Sequence, residues 1–577
     1  MSKVLYLNLS NNEINIKDRS DLFEKYIGGT GVATQLLLEE CPSKINPYSP
    51  ENPIIFSIGP LCGIFPVCTK TVAMFKSPHT NELGESYAGG RLAMAMRFSG
   101  YNSIVIKGKA ENPVYLSIHD DKVEIKDATS IWGVSEVTAI GRILRDVETG
   151  AGRRSILRIG NAGENLVSYA TVNVDTYRHF GRLGLGAVFG SKNLKAIVIS
   201  GTEEINLKNI KDYRKIYQKI YDEVVKTEAM EKYHDLGTSA NIIVLNQIKG
   251  LPTRNLKSTS FEHADAISGE EFAEKYLVRK VACSHCQIGC IHIAMLKTQF
   301  APGHEYELRN ISYDYELIYS LGSNLGVSSP EGILKLIERC EYYGLDAIST
   351  GVVLGWATEM YERDLITPQE TLGIPLQWNN IDSYLKAIDH IILKKNKFYE
   401  ALSKGVYYAS EEFGGKEFAI ALGGNEIAGY HTGPASIVGQ IVGVRHSHLD
   451  NAGYSVDIKA SAQQLSEEEM VDKLIYEDDW RCICNSLITC LFARKVYSEK
   501  NVVSALASIG INKTVEELKK IGKDIFRAKY EFKIREGFDL KKIKVPRRFF
   551  ETISQLGKVT PEQIENMLDL YKSKRGF

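Results

Sequence analysis

The chain has 577 residues, 44% of them apolar and 24% charged, with 70 basic side chains against 71 acidic ones. It is too long for one hydrophobic core, so roughly three or four domains of an ordinary globular protein are expected, and the balanced charge argues against a broad nucleic-acid-binding surface. No apolar run approaches the ~18 residues of a membrane span and MSKVLYLNLS turns polar too early for a signal peptide, so a cytoplasmic location is expected, where the ten cysteines stay as thiols or metal ligands.

From the start to about residue 205 the pattern is β, in short runs such as Val4–Leu7, Ser103–Lys107, Val114–Ile118 and Ala196–Ile199 set between glycine-rich turns. Four glycine-rich stretches stand out: Gly28-Gly29-Thr30-Gly31, Tyr87-Ala88-Gly89-Gly90, Gly160-Asn161-Ala162-Gly163 and Arg182-Leu183-Gly184-Leu185-Gly186. Backbone amides at such turns either cradle phosphates or simply close a tight turn. The first is no dinucleotide fingerprint, because Thr34 replaces the last glycine of G-x-G-x-x-G and no βαβ alternation follows.

Helical periodicity takes over after about residue 205, and no internal repeat is evident. A helix is expected over 208–235 with a stop near Gly237; another opens at Ser329-Pro330 and stops at Gly344. Between them lies Cys283-Ser284-His285-Cys286-Gln287-Ile288-Gly289-Cys290, a C-x2-C-x3-C run with a remote fourth candidate in Cys490. Three close thiols and one distant one suit a four-iron cluster, while C-x2-C is also a zinc spacing. Cys62, Cys68, Cys482 and Cys484 read as buried small hydrophobes. Arg445-His446-Ser447-His448 carries two histidines, either a hydrogen-bonded pair or a two-ligand metal site. Thr514/Glu517 and Thr560/Gln563 are capping boxes for two C-terminal helices. The resulting fold class is α+β: a β-rich domain over 1–205, then helical domains over 206–420 and 421–577.

Taken in order, YIGGTGVATQLL, SYAGGRLAMAMRFSGYNSIVIKG, GNAGENLVSYA, RLGLGAVFGSKNLKAI, CSHCQIGC, GLDAIS, REGFD and the terminal RGF make the whole chain resemble the aldehyde ferredoxin oxidoreductase family of tungsten enzymes. The resemblance implies a β-rich base under two pterins and two helical domains covering them. The first helical domain carries the three-cysteine run and one pterin loop, the second the other loop and the fourth cysteine. It implies a tungsten or molybdenum bis-pterin, one [4Fe-4S] cluster held by Cys283, Cys286, Cys290 and Cys490, and magnesium bridging the pterin phosphates. The family's loops D-x-x-G-L-D and D-x-x-G-L-C correspond to Glu341-Tyr342-Tyr343-Gly344-Leu345-Asp346 and Asn485-Ser486-Leu487-Ile488-Thr489-Cys490. Glu341, Asn485, Ile488 and Thr489 depart from the pattern, and Ile488 replaces the glycine on which the second loop's geometry rests. Lys70 stands where an arginine is usual; Tyr87, Ala88, Gly89, Arg182 and Leu183 match positions around the pterin phosphates.

Asp314-Tyr315-Glu316 resembles the family's E-Y-E signature, which makes Glu316 the catalytic acid or base, with a raised proton affinity in a dry pocket, and Tyr315 its neighbour. His448, and after it His446, matches the family's catalytic histidine, and His431 is a further candidate for the pocket wall. The implied reaction is oxidation of a small aldehyde to a carboxylic acid, with electrons passing to a ferredoxin or a ferredoxin-like small subunit. The protein is then a homodimer or the large subunit of a complex. Two alternatives remain: a reductase of aromatic acyl-coenzyme A thioesters, like the benzoyl-coenzyme A reductase branch, and a non-catalytic iron–sulfur scaffold.

Overall fold

The structure is a computed structural model that describes residues 2–576 apart from 151 and 208. The first residue of the expected 208–235 helix and the last of the terminal RGF lie outside the described residues. Twelve strands build the amino-terminal region. They are β1 (Lys3–Asn8), β2 (Glu13–Asp18), β3 (Ile54–Ser57), β4 (Thr71–Lys76), β5 (Leu83–Ala88), β6 (Ser103–Lys107), β7 (Val114–His119), β8 (Lys122–Asp127), β9 (Ser155–Arg158), β10 (Val172–Val174), β11 (Arg178–Phe180) and β12 (Leu194–Ser200). All four strand runs read from the sequence fall on these strands, and helices follow from Ile210.

The strands form two six-stranded sheets, ordered β2-β1-β6-β3-β4-β5 and β8-β7-β12-β9-β10-β11. Adding six to each strand of the first order gives the second, so the sequence's lack of an evident repeat conceals a duplicated topology. In each sheet the parallel pair joins the first strand of the half to the last, β1 to β6 and β7 to β12. The sheets share one apolar core, in which Leu5, Phe56 and Ile104 of the first meet Leu157, Phe180 and Ile197 of the second, and the Phe56 and Phe180 rings lie 5.4 Å apart. The halves also serve the helical region in parallel. Gly29 of the first abuts the backbone of Asn485, at the end of the helix Glu467–Ser486; Gly160 of the second abuts that of Tyr343, at the end of the helix Pro330–Tyr343.

The helical region is built around the helix Ala347–Glu362, which is apolar and buried on nearly every face, as a central helix must be. Local signals behave as read. Ser329 caps the helix Pro330–Tyr343 by accepting from Gly332, and Gly344 ends it in the left-handed region. Thr514 and Glu517 form a reciprocal capping box, whereas Thr560 only accepts from Gln563. The single helix expected over 208–235 is two, Ile210–Val225 and Glu228–Asp235, with the chain bending between them.

One element was not foreseen. The C-x2-C-x3-C run feeds a three-stranded antiparallel sheet, Leu277–Val281, Ile291–Ala301 and Glu305–Tyr313, inside the region read as helical. Ile291 to Ala294 are buried without alternation, so the run lacks the period-two signature of a half-exposed strand. Among the described residues no helix is long and apolar enough to cross a membrane.

Candidate active site

A cavity of about 380 Å3 opens between the ends of β5 and β11, the helix Tyr315–Leu321 and the turns that end the helices Pro330–Tyr343 and Glu467–Ser486. Lys70, Tyr87, Gly89, Arg182 and Leu183 line it from the strand domain. Glu341, Leu345 and Asp346 line it from the first turn; Asn485, Thr489 and Cys490 from the second. Ala88 and Gly344 do not line it: Ala88 is buried in β5, and the Gly344 carbonyl accepts from Thr171.

The remote thiol joins the other three. Val67 links the two cysteine segments, its N–H donating to the His285 carbonyl (3.4 Å) and its carbonyl accepting from Cys490 N–H (3.0 Å). Ser284 N–H donates to the Gly90 carbonyl at 2.9 Å, and Gly89 abuts Cys283 and Lys70. Cys290 and Cys490 line the cavity, while Cys283 and Cys286 lie behind it. Burial pushes the Cys286 thiol up to about 12, with Cys490, Cys283 and Cys290 adding to it. At Cys283 burial works in the same direction, but Lys70 and Arg178 outweigh it and hold the thiol below its usual range. Among the described residues no three His, Cys, Asp or Glu side chains converge on a single metal ion. Cys62, Cys68, Cys482 and Cys484 are buried, as read.

The two turns carry their residues differently. Asp346 caps the helix Ala347–Glu362, accepting from Ile348 N–H (3.0 Å), and its other oxygen accepts from Ser349 Oγ (2.6 Å) and Arg182 Nε (3.1 Å). Glu426, 2.8 Å from Ser349 Oγ and 2.7 Å from His79 Nε2, closes this buried network. Glu341 accepts from Ser312 at 3.3 Å, and burial pushes its carboxyl up to about 7. In the second turn Ile488 sits at φ 57°, close to the φ 75° of Gly344, so an isoleucine takes the left-handed position that glycine takes in the first.

Glu316 receives the Tyr430 hydroxyl at 2.8 Å and lies 3.4 Å from His448 Nε2. The His448 ring stacks on Tyr430, with centroids 5.0 Å apart. Burial raises the proton affinity of Glu316, but His448 and Tyr430 more than reverse this, so Glu316 is held below the usual carboxylate range. Besides Glu341, Asp314 is raised, pushed up to about 7 by burial and by Glu316 against the pull of Arg178. The raised proton affinity expected at Glu316 is therefore not found there, and Asp314, two residues earlier, is shifted in that direction instead. Burial lowers the proton affinity of His448 despite Glu316 beside it.

Three proposed residues face elsewhere. Tyr315 donates its hydroxyl to the Gly429 carbonyl from a fully buried position. His446 packs between the Gln440 carbonyl (3.0 Å), Glu82 (3.2 Å) and Lys533 (3.1 Å). His431 bonds Thr552 at 3.1 Å, and its neighbour Tyr430 is the residue that reaches Glu316.

Several cavity residues went unassigned in the sequence. Arg445 and Asp314 stood inside quoted segments, and Arg178 lies four residues before Arg182. Arg445 pairs with Asp450 and covers the Tyr87 ring at 5.1 Å. Arg178 Nε, His179 Nε2, His448 Nδ1 and Arg481 Nη2 are buried without a hydrogen-bond partner in the protein, though His179 Nε2 lies 3.5 Å from Glu341, and all four residues line the cavity. Two guanidinium groups with open buried N–H donors, Arg178 and Arg481, beside two imidazoles and two thiols, suit an anionic ligand with many acceptor atoms. The residues present therefore fit a pterin-type cofactor next to a thiolate-held cluster.

Residues 4–201 match the family model for the aldehyde ferredoxin oxidoreductase N-terminal domain, and residues 215–577 match that for aldehyde ferredoxin oxidoreductase domains 2 and 3. The chain is an oxidoreductase, and it belongs to the aldehyde ferredoxin oxidoreductase family. It is 33% identical to the tungsten-containing aldehyde ferredoxin oxidoreductase of Thermococcus kodakarensis, over 100% of this chain and 96% of that protein. It is 29% identical to the WOR-like subunit of an aliphatic sulfonate oxidoreductase of Pyrococcus furiosus, over 90% of this chain and 84% of that one. The active-site complex BamBC of benzoyl coenzyme A reductase, solved with 1,5-dienoyl-CoA, shares the fold, with a TM-score of 0.84, 22% identity, and 100% of this chain and 94% of that chain covered.

Proposed function

We propose that the chain oxidises a small aldehyde to the carboxylic acid and passes the electrons to a ferredoxin or ferredoxin-like subunit. The observation that carries this is Glu316, a carboxylate bonded to Tyr430 and beside His448, in the same cavity as Cys290, Cys490 and both helix-ending turns. When bound, a tungsten bis-pterin supplies a two-electron acceptor, and a four-iron cluster on Cys283, Cys286, Cys290 and Cys490 supplies a one-electron outlet. Arg182, Leu183, Tyr87 and Gly89 would hold the pterin phosphates, with any bridging magnesium, and Glu341 and Asn485 would meet the pterin rings from opposite turns.

The chain's own chemistry is proton handling. Aldehyde and water give the acid, two electrons and two protons. Glu316, ionised at neutral pH, takes a proton from water or from the hydrated carbonyl, and Tyr430 fixes its orientation. His448 stands where a donor can polarise the carbonyl oxygen as charge develops.

The test uses anaerobically purified protein, analysed for tungsten, molybdenum, iron and zinc and assayed for aldehyde-dependent viologen reduction. Tungsten or molybdenum with iron, and aldehyde turnover that falls about 10²–10⁴-fold in Glu316→Gln without loss of metal, is the expected result. Reduction of an aromatic acyl-coenzyme A thioester with no aldehyde activity would overturn the reading in favour of the benzoyl-coenzyme A branch. Iron alone, with no turnover, would make the chain a scaffold.

A further inference from the structure

The three-stranded sheet that follows the cysteine run has two unlike faces. Alternate residues of a strand share a face, and residues paired across a ladder share it too. Val281 pairs with Ile291, Arg279 with Ile293 and Lys297 with Leu308, so these lie on one side, together with Met295 and Tyr306. Ala294, Leu296, Ile311 and Tyr313 lie on the other, buried in the core of the helical region.

The first face starts against the thiols and runs out into solvent. At its root Val281, Ile291 and Ile293 pack with Cys283 and Cys286 in a small apolar cluster of their own, and Cys286 is itself half-buried. Met295 stands one pleat beyond Ile293, about 7 Å further along the strand. Leu308 and Tyr306 continue the row, and Met295, Leu308 and Tyr306 are 39%, 59% and 41% exposed. Large apolar side chains left to water on one face of a sheet, while the other face is filled, mark a contact surface. Arg279 and Lys297 are exposed beside the row, and Lys297 Nζ lies 4.0 Å from the centre of the Tyr306 ring. The ladders place no acid on this face; Glu307 pairs with Thr298 on the other.

Cations without counter-charges suit an acidic partner, and the thiols at the root of the face say what that partner does. The chain arranges cysteines for one cluster, so electrons need an acceptor outside it. A second copy of the chain fits less well, because a two-fold contact through this face sets the same cations on both sides.

We propose that this face docks the electron acceptor, an acidic iron–sulfur protein that takes up one electron at a time. This rests on the reaction proposed above: each aldehyde oxidised releases two electrons, which pass through a cluster on the four cysteines to two oxidised acceptor centres in turn, while two protons go to solvent.

The test measures binding and turnover separately on the holoenzyme, with an acidic bacterial two-cluster ferredoxin as the probe and a viologen dye as an acceptor that needs no docking. Met295→Glu/Leu308→Glu and Arg279→Glu/Lys297→Glu should each weaken calorimetric ferredoxin binding and raise the apparent KM for ferredoxin by about tenfold or more, with aldehyde-dependent viologen turnover unchanged. Added salt should weaken wild-type binding and affect the charge-reversed variant less. Arg279→Lys should bind as the wild type does. Unchanged ferredoxin binding in both double variants overturns the docking face, as does a wild-type holoenzyme that reduces viologen but binds no ferredoxin. A wild-type dimer that both variants dissociate without altering ferredoxin kinetics overturns it as well, since the face would then join two copies. Loss of metal or of viologen turnover in both double variants also overturns it, because the face would then serve the fold. Ferredoxin binding that the variants abolish, in a protein without aldehyde turnover, keeps the docking face and overturns the aldehyde reading; unchanged binding in an active enzyme overturns the face alone.

Discussion

At the end of the helix Pro330–Tyr343, Gly344 N–H donates to the Glu341 carbonyl and Leu345 N–H to that of Cys340. At the end of the helix Glu467–Ser486, Ile488 N–H donates to the Asn485 carbonyl and Thr489 N–H to that of Cys484. The two turns thus repeat one hydrogen-bonding scheme, with the left-handed residue at the same place in each. Glycine takes that conformation freely, whereas a side chain costs about 1–2 kcal/mol there. Ile488 is fully buried in the core shared by the two sheets, and burying such a side chain contributes about 1.5–3 kcal/mol. The first turn is fixed by the residue within it and the second by the pocket that receives its side chain. Their far ends differ as well: Asp346 is held by Arg182, Ser349 and a helix terminus, Cys490 by the backbone of Val67.

The contrast can be broken most forcefully at Asp346. Asp346→Ala removes a helix cap and leaves Arg182 without its nearest carboxylate, so a loss of about 3–5 kcal/mol is expected, read as a lower apparent Tm at a fixed scan rate. A drop no larger than that of an exposed substitution would show that the first turn needs no polar anchor.

A smaller effect sharpens the account of Ile488. Ile488→Ala should cost about 2–4 kcal/mol through the cavity it leaves. Ile488→Gly loses the same side chain but relieves the backbone, so it should be at least as stable as the alanine variant, against the usual penalty of about 1 kcal/mol for glycine. A glycine variant clearly less stable than alanine would refute the idea that the turn is strained.

The smallest effect is at Glu341, opposite the uncharged Asn485. Its folded proton affinity is raised from 4.5 to about 7, so the stability that its neutral form contributes is lost as pH rises through that window. Glu341→Gln should leave stability unchanged near pH 5 and raise it by on the order of 1 kcal/mol near pH 8. Equal differences at both pH values would mean that Glu341 is ionised in the fold.

What was legible in the sequence was local. Ser329, Gly344 and the Thr514/Glu517 box act on groups within a few residues of themselves, and the cysteine spacing is a short-range pattern. What was missed depended on partners far along the chain. The state of Glu316 is set by Tyr430, 114 residues away, and by His448 beyond it, so the sequence could single out the carboxyl group but not its charge. Ile488 looked like a broken motif because the pocket that stabilises it belongs to another domain. The duplicated sheet order escaped because it is a pattern of backbone pairing between strands whose side chains differ in the two halves.

Val67 has a consequence for how such a protein is made. Val67, an amino-terminal residue, bonds through its own backbone to the segment of 283–290 and to that of 490. A cluster held by both segments, as proposed above, would therefore be completed late in biogenesis, after the strand domain has folded and the segment around residue 490 has left the ribosome.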